Sequence, residues 1–239
     1  MNQVHITLQG KGGVGKSFIS ALLVQYLHSK GNAVVAVDAD PVNATLSGYK
    51  AFNTQRLELM KNGSLIERNF DSLIEQIVDE DSHFVVDNGA ASFIPLSYYL
   101  AENNAINIIL ENGKQVIIHT IITGGQAMRD TLSGLASLVE QMPENAQIIA
   151  WLNEYFGDIE ADGKEFEAMQ VYQKNKDRIS GIIRIKRQTG TTYGEDIKMM
   201  LDQKLTFEEV KHAPEFKLMA KSRLERTKAA IFEQLALVI

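Results

Sequence analysis

The chain is expected to fold as a doubly wound α/β unit, a mostly parallel sheet with helices on both faces, and three features of its 239 residues predict this. Short β-branched runs alternate with longer helical patterns, the rhythm of parallel strands joined by crossover helices. Most of the short runs are continuously apolar rather than alternating, as strands buried on both faces are. No stretch rich in Pro, Gly or Ser divides the chain and no internal repeat appears, so residues 1–239 are expected to form a single domain.

Taken in order, the first strand is expected at Val4–Leu8, ending at a glycine-rich loop, and the first helix at Lys16–Lys30. A strand over Ala33–Val37 runs into "DADP", where Pro41 cannot extend it and Asn43 is a good N-cap for a helix over Asn43–Ala51. Asn53–Asn69, with its short "RLELM", reads as a small excursion or an edge strand. A helix over Phe70–Asp79 and a strand over Phe84–Asp87 follow, then a looser helix around Ile94–Glu102. Strand Val116–Ile122, helix Gln126–Glu140, strand Ile148–Leu152, helix Gly163–Lys176 and strand Ile182–Ile185 continue the alternation. Helices over Glu195–Gln203, Thr206–Lys211 and Pro214–Ala236 end the chain. In the last, Leu224, Ile231, Leu235 and Val238 recur at helical spacing, which suits a basic amphipathic helix packed on the sheet with its charged face solvated.

Composition narrows function. A hydrophobic content of 45% supports a sizeable core and 23% charge argues against disorder. The absence of cysteine excludes disulfides, thiolate zinc sites, thiol nucleophiles and cysteine-bound iron–sulfur clusters, and fits a reducing compartment. No apolar run approaches the roughly 18 residues of a membrane span, so a cytoplasmic location is expected and membrane partnership is not. The formal net charge of −6 gives no global reason to expect nucleic acid. Locally, however, Lys211, Lys217, Lys221, Arg223, Arg226 and Lys228 outnumber Glu215 and Glu225, a cluster able to meet phosphate backbones without sequence preference.

The chemistry concentrates in "LQGKGGVGKS". Gly10, Gly15, Lys16 and Ser17 satisfy the phosphate-loop pattern, a glycine, four residues, then Gly-Lys-Ser/Thr. Glycines let backbone N–H groups turn toward phosphate without an intervening Cβ. The helix beginning near Lys16 offers its unpaired N–H groups to the same anion. The expected ATP contacts are Gly12, Gly13, Val14, Gly15, Lys16, Ser17 and Phe18, with Lys16 on the β- and γ-phosphates and the Ser17 hydroxyl on Mg²⁺. Lys11 has no obvious phosphate to serve within its own loop.

Polar residues stand at the ends of three strands, where an open parallel sheet binds its ligand. Asp38 and Asp40 follow "VVAV"; Asp87 ends "HFVVD" in the position of a carboxylate that holds Mg²⁺ through water. Asn153 ends "IIAWLN", and its amide suits reading the edge of a base.

These stretches resemble one family. "GKGGVGKS" is similar to the deviant Walker A loop of ParA/MinD-class ATPases, whose signature is the extra lysine, here Lys11. "DADPVNAT" resembles that family's first switch, which implies that Asp40 orients the attacking water and Asp38 lies near the metal. "VVDNGA" stands where the family has its Walker B and second switch, and "WLNEYF" resembles its adenine-reading segment, placing Asn153 on the base. Over the whole chain, "LQGKGGVGKS", "DPVNATLSGYKA", "RNFD", "VVDNGAASFIPLSYYL", "TGGQA", "LTFEE" and "FEQL" resemble the TraL proteins of plasmid conjugal-transfer regions. The resemblance implies a Mg-ATP-hydrolysing P-loop ATPase acting in conjugal DNA transfer. It also implies an ATP-dependent homodimer in which Lys11 reaches the partner's nucleotide, with DNA or relaxosome and transfer proteins as further partners. Two departures stand out: Val42 alone separates Pro41 from Asn43, and Asn88-Gly89-Ala90 replaces a proline-containing switch. A nucleotide-dependent scaffold with little turnover is the alternative. A metabolic ligase of the same fold would need a substrate cluster that the sequence does not display.

Overall fold

The chain enters on β1 (Gln3–Thr7), turns through the glycine loop into α1 (Lys16–Ser29) and returns on β2 (Val34–Ala39). The computed structural model describes residues 1–61, 64–187 and 191–239. A short edge strand β3 (Gln55–Arg56) and a hairpin of β4 (Met60–Lys61) and β5 (Ser64–Leu65) precede α2 (Glu67–Asp79). Residues 62 and 63 of the expected excursion lie outside the described residues. Next come β6 (His83–Asn88), α3 (Phe93–Glu102), α4 (Ala105–Glu111), β7 (Gln115–Thr123), α5 (Met128–Gln141) and β8 (Gln147–Asn153). A second hairpin, β9 (Glu160–Ala161) and β10 (Lys164–Glu165), leads through α6 (Gln170–Asn175) to β11 (Ile179–Ile185). Helices α7 (Thr191–Asp202), α8 (Phe207–His212) and α9 (Leu218–Val238) finish the chain.

The main sheet has seven strands in the order β11-β8-β7-β1-β6-β2-β3, every neighbouring pair parallel. From β1 the chain leaves toward β2 on one side, and from adjacent β7 toward β8 on the other. The carboxyl ends of β1 and β7 therefore flank a topological switch point, the place where such sheets bind ligands.

Period-two geometry sorts the central residues onto two faces. On one, Val4, Ile6 and Leu8 join Val116 and Ile118 against α2, α3, α4 and α5, through Phe70, Leu96, Ile109 and Leu138. On the other, Ile117, Ile121 and Trp151 pack against α1, α8 and α9 through Leu22, Phe207 and Ile231. The first helix is apolar almost all round because it is covered on both sides. The stripe read in the last helix is buried at Leu224, Ile231 and Leu235, and the Gln234 amide pairs with both the N–H and the C=O of Arg184 on edge strand β11.

One expected helix does not form and a second is cut short. Over 43–51 the chain makes two short 3₁₀ turns, Leu46–Gly48 and Lys50–Phe52, because side chains capture the amides a helix would use: Asp40 takes Val42 and Asn43, and Asp38 takes Ser47. Asn43 is therefore no helix cap. Over 163–176 the α-helix is confined to α6, after a 3₁₀ turn at Phe166–Ala168, since Asp162 and Gly163 both adopt positive φ and fold a hairpin first.

A buried polar line crosses the sheet. Trp151 Nε1–H donates to His119 Nδ1 at 2.9 Å, and His119 Nε2 lies 2.9 Å from His5 Nδ1. With Nδ1 of His119 accepting, its neutral tautomer carries the proton on Nε2 and donates it onward. His5 is then protonated on Nε2, which has no hydrogen-bond partner among the described residues. Burial lowers the pKa of both, His5 to about 3 with a push from His83, and His119 well below the usual imidazole value with a push from His5.

Candidate functional site

The loop leaves β1 through Gln9, whose buried amide is a strut: Nε2 donates to Ile121 O at 2.9 Å, and Oε1 accepts from Lys11 N–H at 3.3 Å. Helix α5 can approach this closely only at Gly134, where a Cβ would lie 2.5 Å from Gln9 Oε1. Gly13 and Gly15 adopt φ of 74° and 106°, which a side chain would strain. Gly15 caps α1 without a side-chain bond, so the first-turn N–H groups face an approaching anion.

Lys16 is buried at 7% exposure and turns back over the loop, Nζ donating to Lys11 O at 2.9 Å. Burial lowers its pKa, and the charges of Asp87 and Asp40 oppose that. Lys11, by contrast, points away from this centre and pairs with Asp130 on α5.

Asp87 is fully buried. Ser20 Oγ donates to its Oδ1 at 3.0 Å, and Thr7 Oγ1 lies 3.2 Å from the same oxygen. Burial pushes its carboxyl up to about 6; hydroxyls of Ser17, Ser20 and Thr7 hold it down and Asp38 pushes it further up. Its other oxygen, Oδ2, is buried without a hydrogen-bond partner among the described residues. A hard oxygen set of one hydroxyl and one spare carboxylate oxygen fits Mg²⁺, which takes one or two protein oxygens and keeps its waters.

Asp38 stands beside Asp87 in the strand register but is occupied otherwise. Arg56 Nη1 pairs with its Oδ1 at 2.5 Å, Asp40 N–H reaches the same oxygen at 3.2 Å, and Ser47 N–H donates to Oδ2 at 2.8 Å. Asp40 crowns the turn that follows, its Oδ1 accepting from Val42 at 2.8 Å and Asn43 at 3.1 Å. It sits against Gly89, where a Cβ would lie 2.5 Å from that oxygen.

A cavity of about 580 Å³ is lined by Gly12, Gly13, Gly15, Lys16, Ser17, Phe18 and Asp40, while Asp38 and Asp87 are sealed at 0% exposure and are not among its lining residues. A second, of about 400 Å³, shares Gly13, Gly15 and Phe18 and extends past Asn153, Tyr155, Ile185 and Ile197. Asn153 is at 4% exposure, its Nδ2 donating to Val14 O at 2.9 Å and its Oδ1 accepting from Tyr155 N–H at 3.2 Å. The fold thus brings Lys16, Ser17, Asp40 and Asp87 together, with Asn153 at the far wall and Lys11 outside. Gln9, Arg56 and Asp130 escaped the sequence reading because their partners are distant in the chain and no local pattern marks them.

The basic C-terminal segment lies apart from these cavities. Lys211 pairs with Glu208 at 2.7 Å, Arg223 with Asp196 at 2.6 Å and Lys228 with Glu225 at 3.5 Å, and Lys221 donates to Lys211 O at 2.7 Å, so most of its cations already have protein partners. No helix among the described residues is long and apolar enough to cross a membrane.

Residues 6–212 match the model of the CobQ/CobB/MinD/ParA nucleotide binding domain. Two Escherichia coli proteins named TraL are 46% and 44% identical to this chain, each alignment covering 98% of both chains. Among solved structures, the MinD cell division protein of Aquifex aeolicus superposes with a TM-score of 0.52 at 15% identity, covering 97% of each chain. A plasmid partition protein of Borrelia burgdorferi, solved with AMPPNP, gives 0.52 at 15% identity over 100% of both. At such identities these two likenesses speak for the fold.

Proposed function

The chain belongs to the CobQ/CobB/MinD/ParA nucleotide-binding family, and from that premise we propose that it is a Mg-ATP-dependent ATPase that dimerises on ATP and serves plasmid conjugal transfer. The observation that carries the chemistry is the convergence of Lys16, Ser17 and Asp40 on one cavity floored by the loop glycines. The link to transfer rests on likeness to the TraL proteins, and the adenine nucleotide is supported by the AMPPNP in the partition protein of the same fold.

Each residue then has a role. Backbone N–H groups of residues 12–18 and the Lys16 ammonium take the phosphates, Lys16 exchanging its bond to Lys11 O for phosphate oxygen. Ser17 and the spare oxygen of Asp87 would hold Mg²⁺, which supplies charge neutralisation on the phosphates when bound. Asp38, with Arg56, fixes the loop that carries Asp40. Asp40 orients the attacking water, its Oδ1 anchored by two amides and its second oxygen left for that task. Lys11 crosses to the partner's nucleotide and stabilises the transferring phosphoryl group, as an arginine finger does. DNA or a transfer protein is the downstream partner.

Isothermal titration with Mg-ATP and a phosphate-release assay test this reading. Lys16→Ala should lose affinity, whereas Asp40→Ala should bind ATP nearly normally and hydrolyse it roughly 10²-fold more slowly. Undiminished affinity in Lys16→Ala would sink the phosphate assignment. A switch with little turnover is the second reading, favoured by the abbreviated loop at Val42; ATP-driven dimerisation without phosphate release would select it.

A further inference from the structure

Between α7 and α8 the chain turns at Lys204, whose φ of 54° is left-handed. Among the described residues three other non-glycine positions share that conformation, Asn53, Asn104 and Asp162, and all three are types whose short polar side chains tolerate it. Lysine is not such a type, and glycine would take the position without steric cost. The turn closes α7: Lys204 N–H donates to Leu201 O at 3.1 Å and Leu205 N–H to Met200 O at 3.0 Å. Thr206 and Glu209 then cap α8 reciprocally, the Thr206 hydroxyl accepting from Glu209 N–H at 3.2 Å and the Glu209 carboxylate from Thr206 N–H at 2.8 Å. Lys204 is therefore held from both sides.

What the turn delivers is a cation. Lys204 is half-buried and lines the 580 Å³ cavity together with Lys16, Ser17 and Asp40. Its stem lies along the 3₁₀ turn Leu46–Gly48 that follows Asp40: a Cβ on Gly48 would stand 3.0, 3.5 and 3.6 Å from Lys204 Cγ, Cδ and Cε. Of the two lysines lining the cavity, Lys16 already donates to Lys11 O. The Lys204 ammonium has neither a hydrogen bond nor a carboxylate partner among the described residues. A half-buried charge without a partner, on a backbone position that disfavours its side chain, calls for a ligand.

We propose that Lys204 is a further phosphate ligand of this site, a cation that the turn between α7 and α8 adds to those of the glycine loop. The inference rests on the nucleotide-binding reading above and extends it to a residue outside every motif of the sequence. A Mg-bound triphosphate keeps more negative charge than Lys16 alone balances. A charge-assisted hydrogen bond from a second lysine, its turn fixed in advance by two helix caps, supplies affinity with little ordering cost.

Titrations of Mg-ATP and Mg-tripolyphosphate against wild type, Lys204→Met, Lys204→Gly and Lys16→Ala decide the matter. Lys204→Met keeps a stem on Gly48 without the charge, and should weaken both ligands by the same factor, about tenfold or more. Lys204→Gly should weaken them alike, while the ligand-free protein unfolds at the same temperature or higher because glycine relieves the turn. A lysine with a purely structural role predicts the reverse pairing, a lower unfolding temperature with unchanged affinity. Should Lys204→Met fail to fold, Lys204→Gly decides alone, and Mg-ATP decides alone where tripolyphosphate binds too weakly to titrate. Wild-type affinity for Mg-ATP in these variants, or loss of ATP with tripolyphosphate spared, overturns the inference. If Lys16→Ala still loses Mg-ATP in that case, the nucleotide-binding reading stands. Failure of wild type to bind Mg-ATP overturns both.

Discussion

Lys11 Nζ lies 2.8 Å from Asp130 Oδ2, which ties the lysine that marks this loop to the first turn of α5 in its own chain. Both side chains are largely exposed, at 44% and 58%, so the pair is worth no more than about 1 kcal/mol. That is a weak clasp, and the phosphates of a neighbouring nucleotide can outcompete it.

From this clasp follows a concentration effect. Asp130→Ala should leave the affinity of each subunit for Mg-ATP unchanged and lower the protein concentration at which ATP drives dimers, by up to about thirtyfold, since each of the two subunits releases one clasp. Sedimentation velocity across a concentration series reads this directly. A higher dimer threshold in the variant would mean that Asp130 belongs to the interface rather than restraining Lys11.

The same lysine permits a complementation experiment. Lys11→Ala and Asp40→Ala proteins should each bind ATP and each hydrolyse it poorly. Once mixed dimers are shown to form, activity should partly return, because the site on the Lys11→Ala subunit keeps its own Asp40 and receives the partner's Lys11. Silence on mixing, with one-site competence established, would confine Lys11 to its own subunit.

Gly89 is required for space alone, since its φ is not among the positive ones. A Cβ there would lie 2.5 Å from Asp40 Oδ1 and 2.9 Å from Pro41 Cδ. Gly89→Ala should therefore displace Asp40, cutting phosphate release at least about tenfold with Mg-ATP affinity within a few fold of wild type. Unchanged turnover would show that the Asp40 position tolerates movement.

The buried histidines make stability fall in acid. Between the ordinary imidazole pKa of 6.5 and the folded value of about 3, the unfolded chain binds a proton at His5 that the folded chain refuses. The stability associated with neutral His5 is complete above pH 6.5 and is lost as pH falls toward 3, at up to ~1.4 kcal/mol per pH unit; His119 acts in the same direction. Asp87, raised to about 6, opposes this, because below pH 6 the folded chain takes its proton first. With two histidines against one carboxyl, the urea midpoint should drop between pH 7 and pH 5. Imidazole resonances of His5 and His119 that titrate near 6.5 in the folded protein would contradict it.

The strands and the loop were legible because their signals are local. A strand buried on both faces must be apolar throughout, and a phosphate loop must place its glycines at fixed offsets. Asp87 stands at the end of β6 and Asp40 just past the end of β2, as the apolar runs before them indicated. The helix expected over 43–51 was lost to a competition invisible in propensities: Asp38 and Asp40 hold the amides of Ser47, Val42 and Asn43, and Arg56 braces Asp38 from 18 residues away. Asp130 meets Lys11 across 119 residues, and Gln9 meets Thr131 across 122, so only the folded sheet brings them together.

Trp151 is the chain's single tryptophan, sealed at 0% exposure with its indole N–H bonded to His119. Two residues further along β8, Asn153 grips the phosphate loop at Val14. The protein therefore carries one tryptophan, which can be excited apart from its seven tyrosines, shielded from solvent quenchers and mechanically adjacent to the loop. Its emission is a label-free optical gauge of that strand, open to stopped-flow timing of loop movement without any dye or introduced cysteine.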